Sequence, residues 1–344
     1  MLKSNLTDSV KKVTATVVAE RAGVSKWTVS RAFTEGASIS PKSLERVLNA
    51  AKELGYRPNL LARSLSKKRT NIVGVVVDDL ANPHKLIMID QVTRQLQRRG
   101  MMTMMLNVTP DLSYKPAISL ADQFQVDGLI FLGNVLTDEL LTLAREVQHI
   151  PLIVLARNSQ IPDIQVVNTD GYQAGKEIAE LLIQQGHRSF GYMAGPVTES
   201  TQLERSSGFR DCLAKHGLAL DLQLEGGRYE RSAGYKAMTD YLVDTPVTQQ
   251  VDAVFCENDI LAIGAMDALR FSSQGKKGQE KKIAIVGFDD IELASAPAYD
   301  LTTYRQPIDK MVTVAIERLQ QAPNEPFCHS IPGELIVRTS HLSS

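Results

Sequence analysis

The sequence predicts an α + α/β chain, with a small N-terminal domain of three short helices and a connecting hinge helix, then two doubly wound parallel-sheet lobes. Three observations carry that prediction. Between residues 14 and 54, apolar side chains recur at helical spacing between capping signals. From Asn71 onward, short runs rich in Val, Ile and Leu alternate with amphipathic stretches in two successive sets, the signature of parallel sheets covered by helices. Formal charge divides the chain at the same place: residues 1–71 hold 14 Lys and Arg against 5 Asp and Glu, whereas the remainder holds 24 against 34. With 344 residues, 43% of them hydrophobic, the chain has material for two to three domains with real cores.

Residues 1–12, MLKSNLTDSVKK, read as a mobile polar tail. A first helix starts after Thr14, whose hydroxyl suits an N-cap, and runs to about Arg21 with Val18 and Ala22 inward and a small Ala19 at the crossing. Gly23 supplies the turn. Ser25 caps a second helix in which Val24, Val29 and Ala32 face the first. This helix-turn-helix leaves Lys26, Trp27, Ser30 and Arg31 outward. A long donor such as Arg31 can reach guanine in the major groove, and Ser25 and Ser30 suit phosphate oxygens; Thr14 is grouped with these DNA-side residues. Ser40 and Pro41 open a third helix that ends at Leu54 before Gly55, with Leu44, Val47, Leu48 and Ala51 inward. The excess of basic residues adds the salt-sensitive, phosphate-neutralising share of binding to duplex DNA.

The segment Pro58–Lys68 has a proline suited to start a helix, but eight to ten residues are too few for a stable isolated helix in water. It is either a helix that folds with help or a plain linker. Ile72–Val77 reads as a buried strand. Asn82 caps and Pro83 opens a helix with Leu86, Ile89 and Leu96 inward, closed by Gly100. Strands follow at Met101–Val108, Gly128–Leu132 and Pro151–Leu155. The second set has helices at about Tyr172–Gln185, Leu203–His216 and Asp259–Phe271, with strands at Ser189–Ala194, Val251–Cys256 and Ile283–Gly287. Leu301–Arg305 crosses back, and Leu335–Arg338 is the last core strand. Ligands of open α/β sheets bind at the carboxyl ends of the strands.

Several classes are disfavoured. No apolar stretch reaches the roughly 18 residues of a membrane span and the N-terminus has no hydrophobic signal core, so the expected location is the cytoplasm. Cys212, Cys256 and Cys328 lack metal-ligand spacing and read as buried free thiols. Neither G-x-S-x-G nor G-x-G-x-x-G occurs, and the histidines, including His84 and His187, are isolated, so no catalytic residue, metal or cofactor is expected. A binding protein linked to transport would share the lobes but not the basic head, and a weakly specific nucleoid protein would not require them.

The runs VTATVVAERAGVSKWTVSRAF and ISPKSLERVLNAAKELGYRPNLLARSLSKKRTNIVGVVV are similar to the N-terminus of the lactose-repressor (LacI/GalR) family of bacterial transcription regulators. The segments VDGLIFLG, GHRSFGYMAGP, ERSSGFRDCL, ENDILAIGAMDAL, IAIVGFDDIELA and LTTYRQPIDKM resemble the same family in the same order, so the likeness spans the chain from Val13. It implies lobes like those of periplasmic sugar-binding proteins, joined by three crossovers, with domains at 13–57 (DNA-binding), 58–70 (hinge helix), 71–168 plus 305–330, and 169–304 plus 331–340.

The resemblance also implies a homodimeric repressor on a pseudo-palindromic DNA operator, governed by a small-molecule effector. Hinge helices would pair and enter the minor groove, Leu65 wedging into the central step with Ala62 facing the groove and Asn59 at a phosphate; such wedging unstacks bases and bends the duplex. Base reading falls on Lys26, Trp27 and Arg31. The ring of Trp27 meets thymine methyls or packs on the neighbouring helix. Effector positions fall on Arg205, Thr201, Tyr229, Asn258, Asp289 and Gln306, with Asp259 at the cleft mouth. Where many sugar-responsive members carry an aspartate after the strand PLIVL, this chain has Ala156 and Arg157. That loss of a carboxylate tilts the effector from a neutral sugar toward a sugar acid or sugar phosphate, unless Arg157 forms a surface ion pair.

Overall fold

The computed structural model describes residues 13–34, 36–58, 69–109, 114–133, 142, 147, 149–156, 164–196, 204–272, 281–321 and 327–342. The chain divides into two compact units, Met1–Thr70 and Asn71–Ser344.

In the first unit, α1 (Ala15–Ala22), α2 (Lys26–Ala32) and α3 (Pro41–Leu54) enclose a core of Val18, Ala19, Ala22, Val29, Val47, Ala50 and Ala51. Val24, Ala32, Phe33 and Tyr56 pack at its edge. The caps at the start of α2 and α3 are as the sequence predicts: Ser25 Oγ accepts from Thr28 N at 3.1 Å and Ser40 Oγ from Ser43 N at 3.2 Å. Gly23, at φ 60°, and Gly55, at φ 66°, close α1 and α3 in the left-handed region that glycine enters without strain. Two expectations fail. Thr14 flanks α1 through its backbone alone, Val18 N donating to Thr14 O at 3.2 Å, and its hydroxyl makes no capping bond. Leu48 is exposed, because the buried stripe of α3 runs through Val47, Ala50 and Ala51, about 100° around the helix from it.

The second unit contains two six-stranded sheets. The first has the order β11 (Cys328–Ile331), β5 (Gln165–Thr169), β4 (Leu152–Leu155), β3 (Gly128–Phe131), β1 (Ile72–Val77), β2 (Met102–Asn107), all parallel. The second has the order β12 (Glu334–Ile336), β10 (Thr302–Arg305), β9 (Ala284–Phe288), β8 (Ala253–Cys256), β6 (Phe190–Ala194), β7 (Leu220–Glu225), parallel except for β12. Among the described residues the chain passes between the sheets three times, after β5, after β10 and after β11.

Both faces of each sheet are covered, which is why the central strands read as unbroken apolar runs. On the first sheet, Val73, Val75 and Val77 meet Met88, Val92 and Leu96 of α4 (Pro83–Arg98) and Met311, Val312 and Ile316 of α10 (Ile308–Gln321). Ile72 and Val76 turn the other way, toward Ile118 and Ala121 of α5 (Tyr114–Gln123). On the second sheet, Phe190, Phe255 and Val286 meet α6 (Gly171–Gln184) and α7 (Arg205–Lys215), while Val254 and Ile285 meet α8 (Arg231–Asp244) and α9 (Asp259–Ser272).

Each of these two helix pairs is brought together by reciprocal glycines. A Cβ on Gly175 of α6 would lie 2.1 Å from Arg205 O, and one on Gly208 of α7 would lie 2.0 Å from Tyr172 O. In the other pair, Gly234 and Gly264 face the carbonyls of Leu261 and Arg231 at 2.3 and 2.1 Å in the same sense. The lobes also share a strand-start device. Asp127 accepts from Asn71 N at 2.9 Å, and Asp252 accepts from the amides of Arg188 and Ser189 at 2.8 and 3.0 Å. Burial works against the charge of Asp252, but the Lys281 ammonium and those two amides outweigh it and bring the carboxyl down to about 2.

Leu86 corrects the inward stripe expected for α4, since it is 58% exposed, whereas His84, Lys85, Met88, Val92, Gln95 and Leu96 are buried. The buried face is offset from the apolar letters, and its N-terminal end is polar. Gln95 joins α4 to α10, its amide donating to Asp309 Oδ1 at 2.9 Å and its carbonyl accepting from Thr313 Oγ1 at 3.0 Å.

Candidate nucleic-acid interface and ligand cleft

On α2, Val29 is buried, and Lys26, Trp27 and Ser30 are exposed on the other side. Trp27 is 66% exposed, so its ring does not pack into the neighbouring helix. Instead the Arg31 guanidinium lies over the indole, 4.2 Å from the ring centroid. Arg31 Nε is buried and has no hydrogen-bond partner among the described residues. The stack holds the side chain on the outer face of the helix, a cation–π arrangement that limits its freedom before any contact is made. Ser25 Oγ is occupied by the cap and by Thr28 Oγ1 at 2.9 Å, which leaves it less available to a phosphate than the sequence suggests. Asn59, Ala62 and Leu65 lie outside the described residues, as do Arg157 and Thr201.

The cleft in the second unit is lined by Asn82, His84, Lys85, Met88 and Ala156 on one side, Arg205, Tyr229, Asn258 and Asp289 on the other, and Gln306 at a crossover. Ala156, Asn258 and Asp289 follow directly, or within two residues, the carboxyl ends of β4, β8 and β9, where open α/β sheets place their ligands. The free volume is only about 30 Å3, so the side chains largely fill the space themselves. Five of the predicted effector residues, Arg205, Tyr229, Asn258, Asp289 and Gln306, are thus gathered in one place.

Local chemistry positions each. Asn82 Oδ1 caps α4 by accepting from His84 N at 3.1 Å. Arg205 opens α7; its guanidinium stacks 3.4 Å from the Phe288 ring centroid and donates to the Glu257 carbonyl at 2.5 Å. The Glu257 carboxylate accepts from Tyr192 Oη at 3.1 Å and from Tyr229 Oη, fixing the ring that lines the cleft. Burial, with the adjacent Glu257 charge, pushes the Tyr192 hydroxyl well above its ordinary pKa. Asn258 Oδ1 accepts from Leu261 N at 3.1 Å and so caps α9. Gln306 spans the sheets: its amide donates to Asp289 Oδ1 at 2.7 Å, and its carbonyl accepts from Thr169 Oγ1 at 2.7 Å. His84 approaches the same carboxylate, Nδ1 to Oδ1 at 3.6 Å. Asp289 itself sits at φ 122°, a strained backbone held by these contacts.

Asp259 is not at the cleft mouth. It is fully buried, accepting from Thr303 Oγ1 at 2.5 Å and Ile291 N at 2.9 Å, and it does not line the cleft. Burial, reinforced by the Asp289 charge, pushes its carboxyl up to about 7. A raised acid favours the folded state when protonated, so its contribution to stability is present below about pH 4 and is lost as pH rises through 7. Asp259→Asn can donate to Thr303 Oγ1 while still accepting from Ile291 N, so its unfolding midpoint should lose this fall between pH 4 and 7. An unchanged slope in urea melts across that range would refute the assignment.

His84 and Lys85 belong to the cleft although sequence reasoning passed over them. The signal was present: the Asn82–Pro83 start puts both in the first helical turn after the carboxyl end of β1. Glu257 was missed because its role runs through two tyrosines distant in sequence. A roomier hollow of about 730 Å3 lies against α8 and α9, lined by Arg231, Ser232, Tyr235, Asp267, Arg270 and Phe271. Its Arg231 and Asp267 already pair at 2.5 Å, and no polar groups converge there from both sheets.

Residues 16–59 match the model of the bacterial regulatory proteins of the lacI family. Residues 70–304 match that of the periplasmic binding proteins and the sugar-binding domain of the LacI family. The HTH-type transcriptional repressor PurR of Pasteurella multocida is 29% identical over 94% of this chain and 97% of its own length. Among solved structures, the Lac repressor dimer bound to operator and the anti-inducer ONPF superposes with a TM-score of 0.83 at 26% identity, covering 97% of this chain and 100% of that one. The complex of the transcriptional regulator CelR with cellobiose gives 0.68 at 28% identity, covering 96% and 100%. Among the described residues, no helix is long and apolar enough to cross a membrane.

Proposed function

This chain belongs to the LacI family of bacterial regulatory proteins, and from that premise we propose that it is a homodimeric repressor of a carbohydrate or sugar-acid operon, released or engaged by a small molecule in the cleft. The observation that carries the reading is the pairing of an outward Lys26–Trp27–Ser30–Arg31 face on a basic head with a polar cleft at the strand ends of a two-lobed core. Arg31 reads a guanine edge and Lys26 and Trp27 the neighbouring bases, while Ser30, Ser25 and Thr14 lie toward the backbone. The operator-bound Lac repressor dimer and the cellobiose-bound CelR support operator, dimer and saccharide-class effector by analogy.

The domain division follows the same reading: head at 13–57, hinge at 58–70, lobes at 71–168 plus 305–330 and at 169–304 plus 331–340. Arg205, Tyr229, Asn258, Asp289 and Gln306 hold the effector, joined by Arg157 and Thr201. Sugar hydroxyls both donate and accept, which suits this mixture of guanidinium, carboxylate and amides. Effector binding shifts one lobe against the other and alters the pairing of the hinge helices, where Leu65 wedges into the central base step beside Ala62 and Asn59. Two sites and two states coupled by roughly 1–3 kcal/mol correspond to a 5- to 150-fold change in operator affinity.

The test is Leu65→Ala in the full-length protein. Operator binding should weaken roughly tenfold or more, as expected when an intercalating wedge is removed, while effector affinity measured without DNA stays unchanged. A parallel loss of both would show that the hinge merely supports the fold.

A further inference from the structure

We propose that Trp27 and Arg31 act as one composite reader of a two-base-pair step, in which the Arg31 fork meets a guanine and the Trp27 indole covers the C5 methyl of a thymine or 5-methylcytosine in the adjacent pair. The proposal rests on reading α2 as the helix that enters the major groove, and adds the chemical group that is read and its place beside the guanine.

Trp27 and Arg31 are four residues apart on α2, so their side chains share one face of the helix. The chain's single tryptophan stands 66% exposed there, opposite the buried Val29. Arg31 Nε is buried and has no hydrogen-bond partner among the described residues, which leaves the terminal Nη1 and Nη2 as the pair able to donate end-on to O6 and N7 of guanine. A guanidinium that makes both bonds lies close to the plane of that base. The indole beneath it, its centroid 4.2 Å from Arg31 Cζ, then lies one layer away, and the base pairs of a duplex are themselves layered about 3.4 Å apart. The ring therefore arrives at the major-groove edge of the neighbouring pair and not at that of the guanine.

The chemistry of the ring decides what it can meet. Indole has one N–H donor and an otherwise apolar rim. Set against an amino or carbonyl group it excludes water and returns at most one hydrogen bond, which costs free energy. A C5 methyl is the major-groove group that gains from being covered, and thymine is the ordinary base that carries one. The same methyl stands on 5-methylcytosine, so a methylated cytosine beside the guanine is read as thymine is and is distinguished from unmodified cytosine. The other exposed side chains of α2, Lys26 and Ser30, end in polar groups and offer no comparable apolar surface.

The experiment measures binding of the full-length protein, at fixed salt, to a duplex selected from a random DNA pool. The guanine is the one whose preference is lost in Arg31→Ala. Each pair flanking it in one half-site is then rebuilt in turn with thymine, deoxyuridine, cytosine or 5-methylcytosine. At one flanking position thymine is expected to bind about fourfold more tightly than deoxyuridine, and 5-methylcytosine more tightly than cytosine by the same factor, the contribution of one buried methyl group. The two comparisons separate the two sources of the methyl. Trp27→Ala should abolish both ratios, whereas a merely structural tryptophan would lower all four affinities alike; Trp27→Phe, which keeps an apolar ring, should retain them. Equal affinity for thymine and deoxyuridine at both flanking positions, with the guanine preference intact, would overturn the inference and leave the regulator reading standing. Ratios that survive in Trp27→Ala would also overturn it, by assigning the methyl contact to another side chain. If no site is selected, this inference and the reading of α2 fail together. The wild-type comparison decides the matter even if a variant fails to fold.

Discussion

Alanine at Gly175 is expected to destabilise the second lobe by about 3 kcal/mol and to weaken effector binding with it. The added Cβ meets Arg205 O at 2.1 Å and Phe209 N at 2.8 Å, both backbone atoms that no rotamer change can move aside. The helices α6 and α7 must part, and the shared core of Ala174, Ile178, Phe209 and Leu213 loosens with them. Because the clash falls on the first residue of α7, the Arg205 guanidinium is displaced from the Phe288 ring at the same time. Gly234→Ala should act comparably on the other face, with its Cβ 2.3 Å from Leu261 O, and should shift Asn258, which caps α9. Urea melts followed by aromatic fluorescence check the stability change. An unaltered midpoint in Gly175→Ala would mean that the helices separate at no cost and that the close glycine contact is incidental.

Arg31→Ala is expected to cost roughly 1–3 kcal/mol of operator binding, about 5- to 150-fold, and to relax preference at one base pair in each half-site. The guanidinium is held over the exposed Trp27 ring, so less ordering is required when it meets a base edge. Trp27→Ala removes that platform and should give a smaller loss in the same direction. The readout is relative affinity across single-base variants of the selected site at fixed salt, since affinities without a salt concentration cannot be compared. A uniform loss over all variants, with the base preference unchanged, would reassign Arg31 to phosphate contact.

The elements visible in the sequence were those whose signals are local. Ser25, Ser40–Pro41 and Asn82–Pro83 mark helix starts because an oxygen must satisfy amides that have no intrahelical partner, and the structure places caps at each. The buried central strands were visible as continuous apolar runs. Strand β5 was not, because Gln165, Asn168 and Thr169 are buried polar residues, two of them satisfied by the remote Arg318 and Gln306. The Cys-His-Ser-Ile strand β11 was passed over because it carries no apolar run: Cys328, expected to be buried, is exposed at the sheet edge with His329 and Ser330. Helix α8 buries only Gly234, Met238 and Tyr241, too few to mark an apolar stripe. In α4 the assumption that apolar letters face inward misplaced Leu86 and hid His84 and Lys85, since a cleft requires inward polar groups that a core does not. The likeness in sequence brought together five cleft residues, yet it put Asp259 at the mouth where packing seals it beneath Thr303 and Ile291.

The measurement that bears most directly on the account is selection of tightly bound duplexes from a random DNA pool by the full-length protein at near-physiological salt. It is run with and without a mixture of sugars, sugar acids and sugar phosphates. The account predicts enrichment of a pseudo-palindrome with a CG centre, read by two heads, and a change in that enrichment when the mixture is present. No enriched sequence under either condition would contradict it, leaving a two-lobed binding protein whose basic head does not read a sequence.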